Sequence, residues 1–189
     1  VSCLFDYKFD GFIQAKTKWL YSINNAGEIK IDVEIALNET LPPLPRVGLS
    51  LTLAKQDSTQ VNWTGLGPFE NYPDRKAAAR FGHYKQPISA LHTPYIFPTD
   101  NGLRSDCHTL HIGHLQVHGA FSFTASTYSQ AMLTGAKHTH ELVADNVIHV
   151  HIDHQHMGVG GDDSWSPSTH KAYLLEGKQY RYSLTLHTV

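Results

Sequence analysis

Between Glu28 and Leu37, Ile29, Ile31, Val33 and Ile35 alternate with Lys30, Asp32 and Glu34. Side chains of an extended strand point to opposite faces in turn, so a period of two gives one apolar face and one charged face. A helix would scatter these residues around its circumference, and their β-branched content also disfavours one. Residues 17–24 (TKWLYSIN) precede this segment across Asn24-Asn25-Ala26-Gly27. The pair predicts an antiparallel hairpin whose turn is longer than the tightest type.

The rest of the chain repeats that grammar. Residues 3–9 are aromatic-rich and suit a strand, and Leu41-Pro42-Pro43-Leu44-Pro45 interrupts any ladder, as an extended crossing between sheets would. Residues 46–55 alternate again, with Val47, Leu49, Leu51 and Leu53 on one face, and residues 61–65 read as a further strand. Asp74 is placed to cap a short helical stretch over 74–80, and Glu70, Asp74 and Arg75 to form a local charge network that fixes a loop. Strands are expected at 109–118 and 121–128, turning at Gly119-Ala120, with a single helical turn at 129–135 and a strand at 147–153. A final hairpin is expected from 171–175 and 179–187. Strands with turns at such short intervals indicate an all-β, antiparallel β-sandwich.

Composition narrows the function. The 189 residues suit one domain, 1–189, with a substantial core. Charged residues make up 17% and the formal net charge is −2, so no basic nucleic-acid surface is expected. No apolar run reaches the ~20 residues of a membrane-spanning helix. Cys3 and Cys107 are far apart and match neither a disulfide framework nor a zinc spacing.

The densest motif is His156-Met157-Gly158-Val159-Gly160-Gly161-Asp162-Asp163-Ser164-Trp165-Ser166-Pro167-Ser168. Three glycines in four positions make a shaped loop, and Trp165 follows them, stopped by Pro167. An indole presented on such a loop suits the C–H face of a pyranose. The competing reading is a tryptophan folded into the core beneath a glycine turn. Gly158, Gly160 and Gly161 would aim the ring, so Gly160→Val is expected to harm activity through geometry, while Asp162, Asp163 and Ser164 would shape the loop. Adjacent Asp162 and Asp163 point apart on an extended backbone, a poor arrangement for two carboxylates acting on one bond.

Other motifs offer less. Gly65 and Gly67 lack the third glycine and the lysine–serine ending of a phosphate loop. Among fourteen histidines, His149 and His151 share a strand face, with His154 and His156 next. A cupin-type metal site needs a glutamate a few residues on, and after His151 the acid is Asp153. The pair His138 and His140 has Glu141 immediately adjacent, so it does not fit that pattern either.

The strings Gly65–Lys76, Tyr95-Ile96-Phe97-Pro98…Asn101-Gly102-Leu103-Arg104 and His156–Ser168, in this order, resemble the C-terminal domain of large β-galactosidases. These are the family-two glycoside hydrolases of the Escherichia coli lac type, in which the same region is sometimes a separate small subunit. The resemblance runs through nearly the whole chain. It implies a large antiparallel supersandwich of the galactose mutarotase kind, incomplete at its N-terminal end. It also implies a cytoplasmic enzyme that hydrolyses terminal β-D-galactosides such as lactose with retention.

In such an enzyme the two catalytic glutamates, about 5 Å apart, lie on a barrel that is no part of this chain. The tryptophan matching Trp165 reaches into that site as a platform for substrate. Magnesium and sodium or potassium are expected in the complete enzyme, held by other parts, so no catalytic residue, metal ligand or cofactor is assigned to this chain. The implied partners are the remaining domains or a large subunit, the β-galactoside, and further copies in a homo-oligomer. The reading of a different class is an independent carbohydrate-binding or aldose-epimerase-like module, whose acid and base would come from the histidines and a glutamate such as Glu70 or Glu141.

Overall fold

A computed structural model describes residues 1–57, 59–163 and 168–188, with the backbone alone for residue 57. Ten strands account for the architecture: β1 (Ser2–Phe9), β2 (Phe12–Ile23), β3 (Ile29–Leu37), β4 (Arg46–Ala54), β5 (Gln60–Gly67), β6 (Arg80–Pro87), β7 (Arg104–Ile112), β8 (Leu115–Ser126), β9 (Val147–His156) and β10 (Gln179–Thr188). One short helix, α1 (Gln130–Gly135), is capped by Ser129, whose hydroxyl accepts the amide of Met132. Among the described residues every strand pairing is antiparallel. The all-β class follows, and no helix among the described residues is long and apolar enough to cross a membrane.

The strands run β1-β2-β3-β10-β8-β7-β5-β6, with β9 on β8 and β4 on β9. The sheet forks at β8. Residues 115–119 of that strand pair with β10, and residues 122–126 pair with β9. Gly119 marks the fork at φ +145°, a conformation that side chains rarely adopt, and a Cβ there would lie 3.0 Å from Leu184 Cδ2. A single apolar cluster joins both arms, including Val33, Tyr182 and Leu184 from one and Val47, Ile148 and Ile152 from the other. Trp63 lies within this cluster, stacked on Tyr84 at 5.1 Å and edge-on to Phe123 at 5.7 Å.

The β2–β3 hairpin forms as its alternation dictates: Ile31 and Val33 are buried while Lys30 and Glu34 face out. Asn24 closes its turn by accepting the amides of Ala26 and Glu28. Three expectations are corrected. The 109–128 hairpin turns at Gly113-His114, because Gly113 takes φ +56° there, whereas Gly119 lies inside β8. Residues 171–173 form a 3-10 turn and not a strand: β10 already has β3 and β8 on its two edges, and Leu175 bridges Leu44 instead. No helix forms over 74–80, where turns lead directly into β6, a strand the sequence reading missed.

Candidate functional site

The absent helix is explained by where its intended cap goes. The Asp74 side chain reaches across the chain and accepts two amide hydrogens, from Val159 at 3.2 Å and Gly160 at 2.8 Å. The two preceding amides are also held, Met157 N–H by the carbonyl of Pro45 and Gly158 N–H by that of Tyr173, both at 2.9 Å. Four successive N–H groups thus find acceptors on three different segments, outside any strand ladder. A loop of irregular backbone is stable when its polar groups are satisfied in this way.

The glycines make that grip possible. A Cβ on Gly158 would overlap the Asp74 carboxylate and stand 2.9 Å from Tyr173 Cβ. Gly161, at φ +155°, runs so close to Ser168 that a Cβ would overlap its hydroxyl and meet its backbone at 2.7 Å. Gly160 is the least crowded of the three, its Cβ position 3.3 Å from Asp74 Oδ2. On the far side, Thr169 Oγ1 donates to Gly160 O at 2.9 Å, and Ser168 Oγ donates to Asp163 O at 3.3 Å. These bonds draw the two limbs of the loop into a narrow neck. Asp162 is exposed beside His170 Nε2 at 3.0 Å, while Asp163 is half-buried. Ser164 and Trp165 are outside the described residues.

The loop forms one wall of a cleft of about 690 Å³. Its lining combines apolar surface from Pro45, Phe97 and Met157 with polar groups from Asp100, Gln130 and Asp163. Of these, Asp163 was anticipated as a loop-shaping residue. Asp100 and Gln130 carry no local sequence signal, because what marks them is their tertiary partners.

Beneath the cleft lies a buried ionic lattice. Arg46 Nη2 is 2.6 Å from Asp153 Oδ2, and its Nη1 is 3.8 Å from Asp100 Oδ2. Asp100 also accepts Tyr72 Oη–H at 3.0 Å and faces His156 Nε2 at 3.1 Å. The other nitrogen of His156 lies 2.7 Å from the carbonyl of Met157, at the entrance to the glycine loop. Burial opposes the charge on Arg46, but Asp153 and Asp100 more than offset this and hold the guanidinium above its ordinary value. Burial likewise works against the Asp100 carboxylate, which His156, Arg46 and Tyr72 bring below its usual range. Asp153 is the more deeply enclosed, and there burial wins and pushes the carboxyl up despite Arg46.

A second network joins the other two motifs. Glu70 is buried, accepts Tyr95 Oη–H and the Gly102 amide at 2.9 Å each, and pairs with Arg75 at 3.2 Å. The Glu70–Arg75 pair was anticipated, but Asp74 leaves it for the glycine loop. Arg104, also buried, donates to the carbonyls of Leu91, Gly102 and Pro68 at 2.9–3.1 Å, and burial brings its guanidinium down to about 10. Asn71 Oδ1 accepts the amide and hydroxyl of Ser105. The segments 65–76, 95–104 and 156–163, distant in sequence, are therefore bonded into one body around the cleft.

Glu70, a candidate for acid–base work, is committed to this network, and Glu141 is exposed on a turn beside His138. His149 Nε2 is 2.7 Å from Asp145 and His154 stacks on Tyr182, so these histidines have separate tasks. The cysteines are unpaired, Cys107 buried and Cys3 partly so.

Comparison with known proteins covers almost all of this body. The family described as Beta galactosidase small chain matches residues 3–186. The chain is 68% identical over 186 residues to a β-galactosidase of Pseudoalteromonas haloplanktis, and 54% identical over 187 residues to one of Photobacterium profundum. It is 43% identical over 184 residues to a β-galactosidase of Yersinia enterocolitica. These matches cover 97–98% of this chain and only 17–18% of each relative, so the chain spans less than a fifth of their length. A family match from residue 3 to residue 186, with all three motif segments inside it, leaves one assignment: the chain belongs to the β-galactosidase small-chain family.

Proposed function

We propose that this chain completes the substrate site of a retaining β-galactosidase whose catalytic carboxylates lie on other parts of the polypeptide. The observation that carries the reading is the tethered loop: four consecutive amides fixed by three segments, with Gly160–Asp163 and Ser168–Thr169 drawn into a neck beside an amphipathic cleft. A platform residue at Trp165 requires a firmly anchored base of this kind. The cleft wall itself offers poor acid–base chemistry, since Asp100 is engaged by Tyr72, His156 and Arg46. Terminal β-D-galactosides such as lactose are the substrates of this reading, and the large remainder of the enzyme, in the cytoplasm and as a homo-oligomer, is the partner. Magnesium and sodium or potassium belong to that remainder.

Hydrolysis of a chromogenic β-galactoside tests this directly. The isolated chain is expected to be silent, and to give activity when combined with the remaining domains. In the complete enzyme, Trp165→Ala is expected to raise KM and impair acceptor use with little change in thermal midpoint. Turnover by the chain alone would place the carboxylates here and overturn the proposal. A collapse in stability with unchanged KM would make Trp165 a core residue.

A further inference from the structure

We propose that His138, His140 and Glu141 form a binding site for a first-row transition-metal cation of the zinc type. One ligand atom from each residue lies within 4.8 Å of the others, and all three residues are exposed. The site belongs to a 3-10 turn at Thr139–Glu141, closed by Glu141 N–H to His138 O at 3.0 Å. With three residues per turn, positions three apart eclipse, which brings Glu141 beneath His138. The immediate adjacency of His140 and Glu141, which disqualifies a strand-based cupin site, is no obstacle on such a turn.

The groups are already oriented. Glu141 Oε2 accepts the amide of Lys137 at 2.8 Å, which leaves Oε1 facing His138 Nδ1 at 3.0 Å. The His138 and His140 rings stack with centroids 5.4 Å apart and planes 21° from parallel. Two donors on a tetrahedral zinc lie about 3.3 Å from one another, so exposed side chains need only a small rotation to close on an ion. The cation takes the place of the proton between His138 and Glu141: that proton moves to His138 Nε2, and the Nδ1 lone pair turns to the metal.

Two imidazoles and one carboxylate suit zinc, nickel or copper, whereas magnesium and calcium prefer oxygen donors throughout. Three protein ligands leave a fourth position for water. The turn also lies on the connection from α1 to β9, and α1 supplies Gln130 and Thr134 to the cleft wall. An ion here would brace a segment that borders the cleft.

Zinc binding to the complete, chelator-treated protein, followed by equilibrium dialysis, tests the site. The double variant His138→Ala/His140→Ala is expected to hold one equivalent of Zn²⁺ fewer than the parent, with an unchanged thermal midpoint in metal-free buffer. Glu141→Gln is expected to weaken that equivalent at least about tenfold, since even an outer-shell partner is worth that much. His118→Ala, removing an exposed histidine on β8, serves as the control and is expected to keep full binding, and excess Mg²⁺ should not displace the zinc. Equal zinc content in the parent and the double variant, an equal loss in the His118 control, or displacement by Mg²⁺ would each overturn the proposal.

Discussion

Asp74 Oδ2 accepts the backbone N–H of Gly160 at 2.8 Å, across a separation of 86 residues. With the companion bond from Val159, this makes one carboxylate the clasp between two motifs. Asp74→Ala removes both acceptors. Because Gly160 is exposed and water can replace part of what is lost, the expected stability cost is only about 1 kcal/mol. The larger effect is expected on KM for a chromogenic β-galactoside in the complete enzyme. An unchanged KM would separate the clasp from substrate binding.

The three loop glycines should not be equivalent. Gly158→Ala meets the Asp74 carboxylate and Tyr173, and Gly161→Ala meets Ser168 at a φ of +155°. Both are expected to depress activity by distorting the neck of the loop. Gly160→Ala approaches only the end of the Asp74 side chain at 3.3 Å and should be the mildest, with Gly160→Val more damaging than Gly160→Ala. Steady-state kinetics on the four variants, beside a thermal melt of each, gives the order. If Gly160→Ala proves the worst, the clasp geometry is wrong.

Glu70→Gln should act on stability. It keeps the shape but weakens charge-assisted bonds from Tyr95, Gly102 and Arg75 in a buried setting. Hydrogen bonds to charged groups contribute more than neutral ones, so a loss of about 2 kcal/mol is expected, read as a lower denaturant midpoint. A midpoint within error of the parent would show that the network is not a brace.

A pH dependence follows from His151. Burial chiefly, with the neighbouring positive charge of Arg46, lowers its pKa from the ordinary 6.5 to about 4, against a smaller upward pull from Asp100. Between those values the unfolded chain binds the proton and the folded chain does not. Stability should therefore fall as pH drops from about 6.5 toward about 4. His151→Gln is expected to flatten that part of the profile in pH-dependent melts. The depressed Asp100 carboxyl acts in the same direction, but at lower pH. An identical profile in the variant would assign the loss to another group.

What the sequence revealed depended on how local each cause was. The alternation of Ile29 to Ile35 is written in neighbouring residues, and β2–β3 forms as it requires. The position of the 104–126 turn was misread because glycine serves two ends: Gly113 turns the chain, while Gly119 lets Leu184 approach at the fork. Asp74 looked like a helix cap because its partners are more than eighty residues away. Asp100, Arg46 and His156 could not be recognised as neighbours for the same reason, and in β6 apolar and polar residue types do not alternate although its exposure does. The glycine-rich loop was conspicuous in the sequence. The residues that tether it were not.

The position of β10 sets the order of assembly. Residues 179–188 lie between β3 and β8, pairing Gln179 with Ala36 and Leu184 with Gly119. During synthesis, strands β1–β3 and β4–β9 can each begin to pair, but the seam between them stays open until β10 emerges. Long-range closure of this kind is slow and leaves strand edges exposed meanwhile. The ribosome therefore puts out two half-sheets in waiting, and β10, ten residues long, is the keystone that turns them into one.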